Sequence, residues 1–276
     1  MGENRKLKKY FNLLSGYYRA YPDFLIIGSQ KAATTSLFYY LTQHPQVIPP
    51  IKKEVRYFDL KYHWGPMWYR SHFPLKNKLK GNKITGEKST DYIFHPLAPQ
   101  RMKETGLNSR LILLLRDPAR RAISQYNHYY RRGIETRTMK EAFEQEPEVV
   151  NNLYPAMHEQ TLFNQQNIKD YIRFAYLQKG LYLKQIKRFE EALNPDLLFI
   201  ESMENLMSHP ARVVKDTYKF LGIDSSFVPE DLASQNQGSY DNDQTTQEML
   251  EWLYNYYRPH NEALFKYLGK RFPWGS

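Results

Sequence analysis

Cysteine is absent from all 276 residues, which excludes disulfide bridges, cysteine nucleophiles and thiolate metal sites and fits a reducing compartment. Long apolar runs are absent too. The strongest, residues 111–115, falls far short of the ~20 residues that a bilayer-spanning helix needs. The leading segment MGENRKLKKYFNLLSGYYRAYPDF is basic, but it has neither the apolar stretch nor the small-residue cleavage site of a secretory signal. Gly2 follows Met1, yet Lys6 stands where N-myristoylation calls for Ser or Thr. A cytoplasmic protein without a membrane partner is expected. Neither an internal repeat nor a low-complexity linker divides the chain, so residues 1–276 are expected to form one domain with residues 1–20 as an N-terminal extension. Acidic residues are the minority charge. Against 39 Lys and Arg there are 29 Asp and Glu, and the net charge of +10 favours an anionic partner. Nucleic acid, an acidic glycan and a phosphorylated cosubstrate all satisfy that charge.

Three short apolar runs, 24–27, 111–115 and 197–200, are nearly continuous rather than alternating. That pattern suits strands buried on both faces of a parallel sheet. A weaker strand candidate covers 83–86. Helical patterns fall between these runs, at 35–41, 119–131 and 167–193, the last with Gly180 as a break point. Two more, 246–257 and 261–268, are separated by Pro259. Asp117 is a suitable N-cap and Pro118 suits the first helical position. Strand–helix alternation predicts an α/β fold, a three-layer sandwich with a central parallel sheet flanked by helices. Ligands of such sheets bind at the carboxyl ends of the strands.

Two motifs fall at those ends. The segment FLIIGSQKAATTSL, residues 24–37, joins a buried strand ending at Gly28 to a helix that opens with Thr34, Thr35 and Ser36. Helix-start amides and hydroxyls attract phosphate, and Lys31 lies inside the loop. A nucleotide-triphosphate loop would place its lysine just before the helix hydroxyl; here Lys31 comes three residues earlier than Thr34. The segment LILLLRDPARRAIS, residues 111–124, sends Arg116 out of the strand end, and Ser124 follows about two helical turns on. Arg120 or Arg121 stands one helical turn from Ser124. A guanidinium and a hydroxyl so placed suit a second phosphate.

With these motifs the sequence resembles the sulfotransferases that use 3′-phosphoadenosine-5′-phosphosulfate (PAPS), most of all their heparan-sulfate branch and its bacterial relatives. The likeness runs from about Asp23 to the C-terminus. It implies a P-loop-like fold and a bacterial enzyme that holds PAPS as cosubstrate. Gly28, Gln30, Lys31, Ala32, Ala33, Thr34, Thr35 and Ser36 would form the 5′-phosphosulfate loop, and Arg116 with Ser124 the 3′-phosphate site. KEVRYFD, residues 53–59, is similar to the segment that carries the general base, here Glu54, with Arg56, Tyr57 and Asp59 on the acceptor side. GEKSTDY, residues 86–92, resembles the segment whose lysine, Lys88, reaches toward sulfonate and acceptor. The closing LYNYYRPHNEALFKYLGKRFPW is similar to the family's last helices and terminal aromatic. The sequence departs from that pattern in three places. Ala32 and Ala33 replace frequent glycines, Arg56 stands where glycan enzymes often carry histidine, and a Lys-Gly turn near the nucleotide appears as Gln237-Gly238.

Sulfonate transfer resembles loose phosphoryl transfer, in which positioning and electrostatics dominate. Lys31, Glu54 and Lys88 are the expected catalytic residues, and no metal is required. His44 and His63 are alternative bases, although His44, before Pro45 at a helix end, reads as structural. Tyr57, Tyr62, Trp64, Trp68 and Tyr69 form either an acceptor wall or core. The expected acceptor is a small molecule or carbohydrate bearing a hydroxyl or amine. Two other classes compete. One is an ATP-dependent small-molecule kinase with an atypical loop. The other is a nucleic-acid-binding protein, against which the dispersed Lys and Arg residues argue.

Overall fold

The structure, a computed structural model, describes residues 12–157, 165–233 and 244–275. Five parallel strands form the sheet: β1 Phe24–Gly28, β2 Val47–Ile48, β3 Ile84–Lys88, β4 Arg110–Leu115 and β5 Leu198–Ser202. Their spatial order is β2-β3-β1-β4-β5, so the three strands richest in apolar residues, β1, β4 and β5, are neighbours. The expected strands stand within two residues of their sequence-based bounds. Only β2, a two-residue pairing next to prolines, lies outside them.

Alternation of side chains across the pleat sets the layers. Leu25 and Ile27 of β1, with Leu111, Leu113 and Leu115 of β4, face one cluster. Phe24, Ile26, Ile112 and Leu114 face another on the opposite side. The second cluster is closed by two helices, α1 Thr34–Thr42 and Pro210–Leu221. The first is closed by Tyr182–Ala192 and by Leu264 and Phe265 of the last helix. The result is the three-layer sandwich expected from the sequence. A third cluster packs α2, Pro118–Tyr130, against Tyr176, Leu253 and Tyr257 beside the sheet.

Of the helical expectations, the break at Gly180 is met and the one at Pro259 changes. The predicted helix over 167–193 divides into Gln165–Phe174 and Tyr182–Ala192, with a short 3-10 turn at Gln178–Gly180 between them. Gly180 is required there because a Cβ would lie 2.6 Å from the Tyr257 hydroxyl. Pro259, expected to separate two helices, instead lies inside one helix, Gln244–Leu268. The missing amide costs the helix about 3 kcal/mol. Leu253 and Tyr257 on one side of the proline and Leu264 and Phe265 on the other are all buried, and that burial holds the two halves in line. Part of the N-terminal extension is docked: Arg19 is buried and its Nη1 donates to Phe73 O at 2.6 Å. Among the described residues no helix is long and apolar enough to cross a membrane.

Candidate active site

The register of the sheet assembles the site. Lys88 lies beside Ile26 of β1, and Leu113 of β4 lies beside Gly28. The segments leaving β1, β3 and β4 therefore emerge side by side at one edge. Gly28 turns the chain where no side chain fits, since a Cβ would stand 2.4 Å from Ile93 Cγ2. The loop then passes through two left-handed residues, Lys31 at φ 71° and Ala33 at φ 54°. Ala33 is one of the two alanines that replace the resembled enzymes' glycines, and its methyl costs about 1–2 kcal/mol in this conformation. Ala32 has no positive φ, and its methyl is buried in the core.

Ala33 also leaves α1 without a side-chain cap, and the first turn holds no acidic residue. The positive end of the helix dipole thus meets no carboxylate of its own first turn, which suits an anion. Burial holds the Lys31 ammonium below the usual lysine range, and Arg116, Arg131 and Arg132 push it the same way. Cations converge on this loop, and a phosphate or sulfonate ligand would relieve them.

The second motif is tied to the first: Arg116, 6% exposed, donates from Nη1 to Lys31 O at 2.8 Å. Asp117 caps α2 by accepting from the amides of Ala119 and Arg120. Its other oxygen accepts from Gly275 N at 3.1 Å. Glu204 bridges Asp117 N and Trp274 Nε1, each at 3.0 Å, so the terminal aromatic braces the same turn. Ser124 stands on α2 at 8% exposure. Arg121 does not pair with it across the solvent face, because its side chain is wholly buried and donates to Gln125 Oε1 and Tyr176 O. Arg120 is exposed. Gln237 and Gly238 lie outside the described residues.

At the end of β3 the carboxylate of Glu54 is ion-paired with Lys88 Nζ, and Lys88 N donates to Lys53 O at 3.1 Å. The two catalytic candidates on the acceptor side are therefore in contact. Lys88 is almost enclosed, with 7% of its side chain exposed, whereas 43% of the Glu54 side chain faces solvent. Arg56, in the left-handed region at φ 63°, reaches two carboxylates: Nε is 2.5 Å from Asp59 and Nη2 is 3.1 Å from Asp91.

Tyr57 and Asp59, expected on the acceptor side, are both buried. Tyr57 is 1% exposed and stacks on Tyr69 with ring centroids 4.4 Å apart. Asp59, equally buried, holds Arg56 and accepts from Leu60 N. The other aromatics divide, with Tyr69 in the core and Trp64 exposed. His44 is structural, as expected: its buried ring contacts Asp224 O and accepts from Gln46 N.

Sequence reasoning missed the pair that joins the two halves. Lys179 Nζ lies 2.7 Å from Asp91 Oδ1 and 2.9 Å from Gln30 Oε1, and Gln30 Nε2 donates to the Tyr129 hydroxyl. Burial lowers the Lys179 ammonium to about 8, against the pull of Asp91. Burial pushes the Asp91 carboxyl up, but Lys179 and Arg56 outweigh it and hold it below the usual carboxylate range. Gln30 on the phosphate loop is thereby linked through Lys179 and Asp91 to Arg56 beside Glu54. Asp91 is the penultimate residue of the GEKSTDY motif. Lys179 precedes Gly180, and only that glycine stood out in the sequence.

A parallel α/β sheet that gathers three motif-bearing segments at its strand ends is a frame on which ligand sites are built. The chain belongs to the sulfotransferase family: residues 21–264 match the sulfotransferase domain. The membrane-associated sulfotransferase kil1 of Dictyostelium discoideum is 29% identical, covering 92% of this chain and 66% of that protein. Mouse heparan sulfate glucosamine 3-O-sulfotransferase 3B1 is 27% identical over 92% of this chain and 65% of its own. The chain thus spans just under two thirds of the length of these relatives. The crystal structure of a sulfotransferase from Alicyclobacillus acidocaldarius superposes with a TM-score of 0.71 at 25% identity, covering 92% of this chain and 98% of that one.

Proposed function

We propose that the protein transfers a sulfonate group from PAPS to a hydroxyl or amine of a carbohydrate or small-molecule acceptor. The observation that carries this reading is the Arg116 Nη1 to Lys31 O hydrogen bond. It joins two cationic, anion-ready motifs at the edge where Lys88 and Glu54 pair, which suits a ligand with phosphates at both ends. The helix-start residues Thr34, Thr35 and Ser36, with Gly28, Gln30, Ala32 and Ala33 shaping the loop, would hold the 5′-phosphosulfate. Arg116 and Ser124 would hold the 3′-phosphate. Glu54 would take the acceptor proton as the acceptor atom bonds to sulfur and the bond from sulfur to the phosphate oxygen breaks, releasing 3′-phosphoadenosine 5′-phosphate (PAP). Lys31 would offset charge on the leaving oxygen, and Lys88 would neutralise the sulfonate oxygens while orienting Glu54. The heparan-sulfate enzyme among the relatives supports a carbohydrate acceptor; Arg56, bound by two carboxylates, marks a different acceptor wall. The cysteine-free composition supports a cytoplasmic setting, which cell fractionation tests.

A thermal-shift titration compares PAP, ATP and AMP without added metal. PAP is expected to raise the midpoint at lower concentration than either. A larger shift with ATP would favour a kinase and overturn the reading, and no shift with PAP would remove the donor.

A further inference from the structure

Glu87 lies on β3, opposite Leu25 of β1, and is fully buried. A carboxylate so enclosed is costly unless its lone pairs are met. Four donors meet it. Val55 N lies 2.9 Å from Oε2 and Ser89 Oγ 2.9 Å from the same oxygen; the Tyr69 and Tyr92 hydroxyls lie 2.9 and 2.8 Å from Oε1. Two of these hydroxyls are relays. Ser89 Oγ accepts from Arg56 N at 3.1 Å, and the Tyr92 hydroxyl accepts from Tyr57 N at 2.8 Å. The amides of residues 55, 56 and 57 are therefore all satisfied through one side chain, the first directly and the next two through one hydroxyl each. These three residues follow Glu54 immediately, and the middle one is left-handed. Consecutive amides around a left-handed residue form a concave anion seat, and here the anion is supplied by the chain itself.

We infer that Glu87 is a positioning residue, a buried carboxylate that straps the 55–57 turn to the end of β3 and thereby keeps Glu54 in contact with Lys88. Glu87 and Lys88 are adjacent on the strand and point to opposite faces, so one residue sets the turn and the next meets the base that the turn carries. Burial raises the Glu87 carboxyl to about 7, and its four hydrogen bonds oppose that rise. The four donors favour the ionised, acceptor-only form and offset the effect of burial only in part. The inference rests on the reading of Glu54 as base.

The test uses the whole chain and the variants Glu87→Gln, Ser89→Ala, Tyr92→Phe and Glu54→Gln. Amide hydrogen exchange is followed by peptide, and turnover is followed as release of PAP from PAPS with water as acceptor. An amide in place of the carboxylate turns one acceptor oxygen into a donor facing donors. Glu87→Gln is therefore expected to raise exchange at residues 55–57 by roughly tenfold or more while the sheet stays protected. It should also lower kcat by ~10²-fold, with KM for PAPS and the affinity for PAP unchanged, as for a misplaced catalytic group. Ser89→Ala and Tyr92→Phe each remove one relay and should give smaller changes of the same kind; they decide the matter if Glu87→Gln does not fold. Wild-type exchange and kcat in the folded variants would overturn the inference, as would a loss seen equally in PAP affinity. Glu54→Gln separates the two readings. Undiminished turnover there removes the base, whereas inactive Glu54→Gln beside fully active Glu87 and relay variants removes only the strap.

Discussion

Glu146→Gln should change how the protein's stability depends on pH. Glu146 is 1% exposed and accepts hydrogen bonds from Leu177 N and from Gln178 N, the latter at 2.8 Å. Burial, opposed by those bonds, lifts its carboxyl from 4.5 to about 7. A carboxyl whose folded pKa is raised contributes stability that is fully present below the unfolded value and is lost as pH rises through the folded one. The unfolded chain releases the proton near 4.5 and the folded chain only near 7. Between pH 6 and 8 this one group therefore costs the wild type about 1.3 kcal/mol of unfolding free energy. Glutamine resembles the protonated acid, with one acceptor and one donor, and does not titrate. Urea denaturation of both proteins at pH 6, 7 and 8 measures the difference directly, since every other titrating group is shared. The variant should gain about 1.3 kcal/mol on the wild type across that interval. Free energies that run parallel within about 0.3 kcal/mol, or a gain of opposite sign, would refute the reasoning.

Lys31→Ala and Glu54→Gln should each lower PAPS turnover by ~10²-fold or more with the thermal midpoint little changed; near-normal turnover in either would remove that residue's role. Arg116→Ala deletes both a phosphate donor and the tether to Lys31 O, so PAP affinity measured by calorimetry should weaken by ~10–150-fold, the equivalent of 1.5–3 kcal/mol. Unchanged affinity would count against the second anion motif. Ala33→Gly relieves a left-handed alanine and gives back part of the gain through the more flexible unfolded chain, for a net stabilisation of about 0.5–1 kcal/mol. A lower melting temperature would show that the Ala33 methyl packs better than its backbone suffers.

How much could be read from the sequence followed from range. The runs at β1 and β4 announce themselves because strands covered on both faces need apolar residues at nearly every position; β5, at the sheet's edge, keeps a shorter half-buried apolar run. The Asp117-Pro118 start of α2 is legible because capping is a local affair, and Asp117 does accept from Ala119 N and Arg120 N. The two-residue β2 is too short for any periodicity. Pro259 misled because local propensity was weighed without the buried residues on either side of it. Gly180 signalled a break but not its reason, the Tyr257 ring approaching from far along the chain.

The site divides in the same way. Lys31, Thr34 and Arg116 stand within motifs whose spacing encodes their chemistry. Glu54 and Lys88 are 34 residues apart, and only the fold of the turn onto β3 makes them a pair. Tyr57 and Asp59 were expected on the acceptor side, yet both are buried, because residues 57–61 form a single π-helical turn whose first three side chains all pack inward, a geometry that no sequence period announces. Lys179 looks in sequence like any solvated lysine, but it lies 88 residues from Asp91 and 149 from Gln30. Desolvating such a pair costs about as much as its attraction returns, so stability alone is a poor reason for its position. Its geometric effect is specific. One ammonium holds Gln30 on the loop after β1 and Asp91 beside Arg56, so the halves proposed to bind the anion and to carry the base share a single buried brace.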